Sequence, residues 1–263
     1  MPEETNNYIL FEKVGAIAKI TLNRPKVYNS FNREMALAAQ AALATCKEDK
    51  EIRAVYLTGS GKAFCAGQDL QEVVAEGGPD LSSIISEHYN PLIIQLRALQ
   101  KPVVCAVNGV AAGAGANIAL ACDIVIATES ASFIQAFSKI GLIPDSGGTY
   151  FLPRLIGWNR ASALMMLGDK VSAKEAERMG MIYKVFPNNT FATESYNLAE
   201  RLSEMPTKAL GYIKRALNYS LTSELENQLG IEEQYQSACS QTTDYEEGVQ
   251  AFLEKRAPKF TGE

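Results

Sequence analysis

The sequence predicts an α/β core followed by an all-helical tail. Two observations carry that prediction. Apolar runs of strand length alternate with helix-like stretches through about residue 186, and from about residue 190 only helical runs follow. A third observation bears on chemistry: Gly/Ala-rich turns stand beside apolar runs on both sides of a lone acid, Asp145. On these residue signals alone, the core reads as a doubly wound sheet.

The elements follow in order. Residues 8–22 read as two short strands around Gly15, with Ile17, Lys19 and Thr21 alternating against Ala16, Ala18 and Ile20. Residues 32–47 are Ala-rich and helical, with Asn32 as the cap. Residues 54–57 form a strand that runs into Gly59-Ser60-Gly61. Residues 83–99 read as a helix with Pro91 as a kink point. Residues 103–107 and 124–127 are further apolar strands, and 117–121 looks helical. The tail divides into helices at 190–203, 207–219, 223–240 and 243–255, with Pro206 separating the first two. Residues 1–200 are therefore expected to hold the core and the site, and 201–263 a C-terminal helical region.

Bulk properties narrow the function. A chain of 263 residues can bury a large core, and 47% apolar with 21% charged residues is ordinary for a globular protein. A net charge of −5 opposes a nucleic-acid surface, which needs a basic patch. No apolar run reaches the ~20 residues that span a bilayer. The polar, acidic residues 1–7 lack a signal-peptide pattern, so no membrane partner and a cytoplasmic location are expected. The five cysteines are odd in number and lack a CxxC, which predicts buried free thiols. His88 is the only histidine, so neither a Ser/His/Asp triad nor a multi-histidine metal site is expected. It is placed at the surface or a pocket rim.

Residues 109–149 carry the chemical signal. Gly113-Ala114-Gly115 precedes a helical run, and small residues there let a ligand approach the backbone. N–H groups at a helix start favour developing negative charge, which suits a carbonyl becoming an enolate. Asp145 sits between Pro144 and Ser146-Gly147-Gly148, in a fixed turn. A second small-residue turn lies in Ala63-Phe64-Cys65-Ala66-Gly67-Gln68-Asp69-Leu70.

These segments resemble the crotonase (enoyl-CoA hydratase/isomerase) superfamily. The resemblance runs through ITLNRPKVYNSFN (20–32), the AFCAGQDL turn, KPVVCAVNGVAAGAG (101–115), ACDIVIA (121–127), GLIPDSGGT (141–149) and DYEEGVQAFLEKRAPKFTG (244–262). It implies a spiral of ββα repeats in place of a doubly wound sheet. It also implies a helical C-terminal region at a trimer interface, in a trimer or a dimer of trimers. The substrate would be an acyl-CoA, with CoA as part of the substrate and no separate cofactor or metal.

The resemblance assigns roles residue by residue. The backbone N–H groups of Gln68 and Ala114 match the pair that holds the thioester oxygen, and Asp145 matches the acid of isomerases and dehalogenases. The two hydratase glutamates fall at Asn117 and Phe137, which disfavours hydration. Lys26, Val27, Ala66, Gln68, Asp69 and Leu70 match loops around CoA. Phe252 and Lys255 match tail residues that reach a neighbouring subunit's CoA. Phe64, Asn117, Phe137, Ile140 and Leu142 are candidates for the acyl pocket. For Asn117, orienting the substrate or Asp145 and simple placement in a helix's first turn both stay open.

Within the family, 109–116 and 136–157 most resemble the ring-epoxide isomerases that turn 1,2-epoxyphenylacetyl-CoA into oxepin-CoA. A 3,2-enoyl- or dienoyl-CoA isomerase is the first alternative. A 4-chlorobenzoyl-CoA dehalogenase is disfavoured, because its tryptophan falls at Phe137 and the one tryptophan here is Trp158. A non-catalytic CoA-binding scaffold, or an RNA-binding relative, is opposed by Asp145 and by the acidic charge.

Overall fold

The computed structural model describes residues 7–263. Residues 1–6, which bear on the signal-peptide expectation, lie outside the described residues. Two sheets organise the core. The larger contains β1 (Ile9–Val14), β2 (Ile17–Leu22), β3 (Ala54–Gly59), β5 (Val103–Val107), β7 (Ile124–Thr128) and β10 (Lys184–Phe186), in that spatial order. The smaller contains β4 (Ala63–Cys65), β6 (Val110–Ala112), β8 (Ser132–Ile134) and β9 (Lys170–Ser172). β1 and β2 form an antiparallel hairpin, whereas β2, β3, β5, β7 and β10 run parallel.

The chain alternates between the sheets. β3 leads to β4, β5 to β6 and β7 to β8 across short corners, so each turn of the spiral adds one strand to each sheet. This differs from the doubly wound sheet that periodicity suggests. The second strand of each pair is only three residues long, too short for a period-2 signal to register. The corners are fastened to one another. Asn108 accepts from Gly59 N–H (3.0 Å) and donates to the Gly61 carbonyl (3.1 Å).

The central strands β2, β3, β5 and β7 of the large sheet are buried on both faces, which explains their unbroken apolar runs. Val55, Leu57, Val103, Cys105, Val107, Val125 and Ala127 face the main core. Ala54, Tyr56, Val104, Ala106 and Ile126 alternate with them and meet α9 (Phe191–Ser203) through Phe191, Ala199 and Leu202. The main core is closed by α1 (Arg33–Glu48), whose Asn32 cap accepts from Met35 N–H at 3.1 Å as the sequence predicts.

The remaining helices are α2 (Leu70–Val74), α3 (Leu81–Ser83), α4 (Asn90–Ala98), α5 (Ala114–Leu120), α6 (Gly148–Ile156), α7 (Trp158–Leu167), α8 (Ala173–Arg178), α10 (Thr207–Ser220), α11 (Leu225–Cys239) and α12 (Thr243–Glu254). A π-helical turn, Ile84–Tyr89, joins α3 to α4. Pro91 has no N–H for the Glu87 carbonyl, and Gln40 Nε2 supplies that donor from α1 at 2.8 Å. The expected kink is thus a wide turn. It leaves the consecutive residues His88 and Tyr89 both buried.

His88 is 1% exposed, which corrects its placement at the surface or a pocket rim. Burial pushes its pKa down. Four cysteines are buried free thiols as expected, and Cys239 is half-buried. The tail is tied to the core by a buried ion cluster. Asp123 receives Lys214 Nζ of α10 at 2.7 Å and Arg97 Nη1 of α4 at 3.1 Å. No helix among the described residues is long and apolar enough to cross a membrane.

Candidate functional site

The site grows from two backbone turns that meet. In the first, Phe31 N–H donates to the Gly67 carbonyl (2.7 Å), and Asp69 N–H donates to the Phe31 carbonyl (2.8 Å). This is a single parallel bridge between Phe31 and Gln68. Both bonds come from the residues flanking Gln68, so the Gln68 N–H itself faces away from Phe31. In the second turn, Gly113 adopts φ 53°, ψ −129°, a conformation natural only to glycine. That conformation starts α5 at Ala114, whose N–H belongs to the first helical turn and has no intrahelical acceptor. Among the described residues, neither N–H donates to a protein acceptor.

The turns approach too closely for side chains. A Cβ on Gly67 (φ 94°) would lie 2.9 Å from the Ala112 carbonyl oxygen and 3.5 Å from Ala114 N. The Gly/Ala richness read in the sequence is this close approach. Two free N–H groups on touching turns can hold an oxygen that gains negative charge.

Asp145 lies in the turn before α6. The turn is tight, with Ser146 at φ 51° and Gly147 at φ 74°. Asn117 is fully buried and spans from α5 to this turn. Its Nδ2 donates to the Asp145 carbonyl at 2.9 Å, and its Oδ1 accepts from Gln135 Nε2 at 2.7 Å. Asn117 sits near the start of α5 and also bonds Asp145, so features of two of its open readings are present together. It acts on the backbone, and its amide is engaged at both ends.

Ser146 Oγ donates to Asp145 Oδ1 at 2.9 Å, which favours the charged carboxylate. Burial opposes it and is the larger effect, so the Asp145 pKa is raised. Phe137 is buried, and its ring lies 3.8 Å from where a Cβ on Gly113 would stand. An apolar wall therefore backs the second turn.

Several expected residues are placed differently. Phe64 is wholly buried in the main core, so its expected place in the acyl pocket is corrected. β4 is covered on both sides, and all three of its residues are buried. Asp69, expected in the CoA-facing loop, has its carboxylate engaged within the protein. It pairs with Arg24 Nη2 at 2.9 Å and caps α2 through Gln71 N–H at 3.1 Å. The pair ties the Gly67–Gln68 turn to the loop that begins at Arg24 and carries Lys26 and Val27.

Lys26, Ala66 and Leu70 are exposed and Val27 half-buried around that turn. Ala66 N–H donates to the Tyr28 carbonyl at 3.0 Å, which joins the two loops. Ile140 and Leu142 are exposed on the segment leading to Asp145. Phe252 is 83% exposed on α12, and Lys255 caps that helix in the left-handed region.

Tyr89 is the residue that the sequence reading missed. It is fully buried, and its hydroxyl donates to Gln68 Oε1 at 2.8 Å. Gln68 Nε2 in turn donates to Glu72 Oε2 at 2.8 Å. The Gln68 side chain, which the sequence reading gave no part, links the first turn to α2 and to the π-turn. A hydroxyl next to the lone histidine was the available signal.

Comparison with known proteins places the chain in a family. The family model described as enoyl-CoA hydratase/isomerase matches residues 12–263. The chain is 49% identical to the 1,2-epoxyphenylacetyl-CoA isomerase of Escherichia coli (strain K12) over 97% of this chain and 98% of that one. It is 46% identical to a Rhodobacter capsulatus protein named probable enoyl-CoA hydratase, again over 97% and 98%. The crystal structure of enoyl-CoA hydratase from Bacillus anthracis superposes with a TM-score of 0.91 at 35% identity, covering 97% of this chain and all (100%) of that one. The ββα spiral, the paired turns and these matches lead to one conclusion: the chain belongs to the enoyl-CoA hydratase/isomerase (crotonase) family.

Proposed function

We propose that the protein isomerises an aromatic-derived acyl-CoA, converting ring 1,2-epoxyphenylacetyl-CoA to oxepin-CoA. The observation that carries this reading is the exchange of acids at the site. The family hydratases place glutamates at the positions of Asn117 and Phe137. Here Asn117 is bonded at both ends to protein groups, and Phe137 is apolar and buried. Asp145 remains, with burial raising its pKa toward that of a useful base.

The chemistry follows from the thioester. The N–H groups of Gln68 and Ala114 hold its oxygen, which acidifies the adjacent C–H. Asp145 takes that proton, the two N–H groups stabilise the enolate, and the proton returns to a different carbon as the ring rearranges. The atoms balance within one molecule, so the reaction calls for no oxidant and no separate cofactor. The same parts serve a 3,2-enoyl- or dienoyl-CoA double-bond shift, which also moves one proton.

Lys26, Val27, Ala66 and Leu70 supply the CoA-facing loops, with Lys26 suited to phosphate. Phe252 and Lys255 act from a neighbouring subunit of a homo-oligomer. Exposed Leu225, Leu229, Val249, Phe252 and Leu253 on α11 and α12 support such an assembly.

Product mass tests the reading. An isomerase leaves the mass of 1,2-epoxyphenylacetyl-CoA unchanged while its absorbance changes. A product heavier by one water marks a hydratase and overturns the proposal.

A further inference from the structure

We propose that Tyr89 is a positioning residue that fixes the Gln68 peptide, and so its N–H, through a side-chain clamp running from Tyr89 to Glu72. The inference rests on the acyl-CoA reading above.

The Gln68 peptide is held from two directions. On the backbone side, Phe31 takes both flanking groups, the Gly67 carbonyl and the Asp69 N–H. On the side-chain side, Gln68 Oε1 accepts from Tyr89 and Gln68 Nε2 donates to Glu72. Glu72 is itself anchored, because its Oε1 accepts from Arg33 N–H at the start of α1 (2.8 Å). A glutamine side chain normally keeps several rotamers, and these bonds leave it one.

Tyr89 supports both directions. Its ring packs on Phe31 with centroids 6.0 Å apart, and Phe31 is the residue whose backbone brackets Gln68. The π-turn brings Tyr89 inward, and wide turns of this kind recur at functional sites. Burial, and after it the carboxylates of Asp145 and Glu72, push the phenol pKa up. The hydroxyl therefore stays protonated and remains a donor to Gln68. An oxyanion donor works only if it is preorganised, so slack in this peptide costs rate before it costs binding.

The test uses phenylacetyl-CoA carrying 13C at the thioester carbonyl, with infrared difference spectra of the bound ligand. Steady-state kinetics on 1,2-epoxyphenylacetyl-CoA accompany it. Tyr89→Phe keeps the ring on Phe31 and removes only the donor. The carbonyl band of the bound thioester should lie below that of free ligand in the wild type and move back toward it in Y89F. The kcat should fall about tenfold, a fraction of the ~10²–10³ lost with a whole oxyanion donor, while KM stays close to wild type. Q68M removes the acceptor and should lose at least as much. Y89F added to Q68M should then cost little more, because the two act through one bond.

A wild-type band shift with an unchanged band and kcat in folded Y89F overturns the clamp and leaves the acyl-CoA reading standing. A wild type that binds phenylacetyl-CoA with no band shift overturns both. If Y89F melts below assay temperature, Q68M carries the same test: loss of band shift and of kcat supports the clamp, and wild-type values overturn it.

Discussion

Asn117 Nδ2 donates to the Asp145 carbonyl at 2.9 Å, so a buried amide on α5 holds the backbone of the acid across the site. α5 also begins with the Ala114 N–H. One short helix thus sets the position of a proposed oxyanion donor and of the proposed base. Asn117→Ala should break that coupling. It strips the Asp145 carbonyl of one of two donors, since Gly148 N–H also reaches it (2.8 Å), and leaves Gln135 Nε2 buried without its acceptor. The expected loss is about 1–3 kcal/mol of stability, with a fall in kcat. Denaturant melts and steady-state kinetics check it, and an unchanged kcat would remove Asn117 from the positioning of the acid.

Asp145 predicts a pH dependence of opposite sign for rate and stability. Its folded pKa is raised, mainly by burial. The active carboxylate is lost as pH falls through that raised value, so the acid limb of kcat/KM should lie above the usual Asp range near ~4. For stability, a raised pKa means the folded state binds the proton more tightly than the unfolded chain. The ionised carboxylate therefore costs stability at neutral pH, and the cost fades as the group protonates. Asp145→Asn should raise Tm at pH 8. The gain should shrink as pH falls through the folded pKa of Asp145 toward the value in the unfolded chain. Melting curves of both proteins across that range decide the matter, and a lower Tm in the variant at pH 8 would contradict it.

Arg24→Met should loosen the CoA-facing loops. Arg24 bridges Asp69 (2.9 Å) and the Ser30 carbonyl (2.6 Å), and both charged side chains are largely covered. Without it, Asp69 keeps only its capping bond to Gln71 and holds a half-buried charge with no ion-pair partner. A rise in KM for acyl-CoA larger than the fall in kcat is expected, read from initial rates. A change in kcat alone would place the pair outside the binding loops.

Asp123→Ala tests how the tail is attached. It leaves Lys214, 5% exposed, without its ion-pair partner, and takes a hydrogen bond from Val103 N–H. Removing one member of a buried pair typically costs about 3–5 kcal/mol. Chemical denaturation should show a loss of that size; a neutral substitution would mean that α10 is held by packing alone.

The long elements were legible in the sequence, and the short ones were not. Helices α1 and α9 to α12 follow from periodicity and caps, and β2, β3, β5 and β7 from apolar runs. The runs are unbroken because alternate residues enter two different cores, as Val103 and Val104 do. β4, β6 and β8 left no readable period, so the spiral needed the family resemblance. At the site, the Gly67 and Ala114 turns approach each other, and Asp145 sits in a tight turn bonded by Asn117.

Phe64 was misread, and the ion pair of Asp69 unforeseen, because a motif gives a residue's neighbours in sequence and not what covers it. Phe64 falls on a strand covered on both sides, and Asp69 is engaged by Arg24, 45 residues earlier. His88 and Tyr89 were misjudged for a related reason. Only a π-turn buries both, and its cause is a proline whose missing donor is replaced from another helix.

The central claim is that Asp145 moves the proton of a ring-epoxide acyl-CoA isomerisation. The direct measurement is turnover of enzymatically generated 1,2-epoxyphenylacetyl-CoA, with a 3-enoyl-CoA alongside, by wild type and Asp145→Asn. The account predicts oxepin-CoA formation by the wild type and a loss of several orders of magnitude in the variant, with any 3-enoyl activity lost in parallel. Near-normal oxepin formation by Asp145→Asn, or wild-type activity on the 3-enoyl substrate alone, would contradict it.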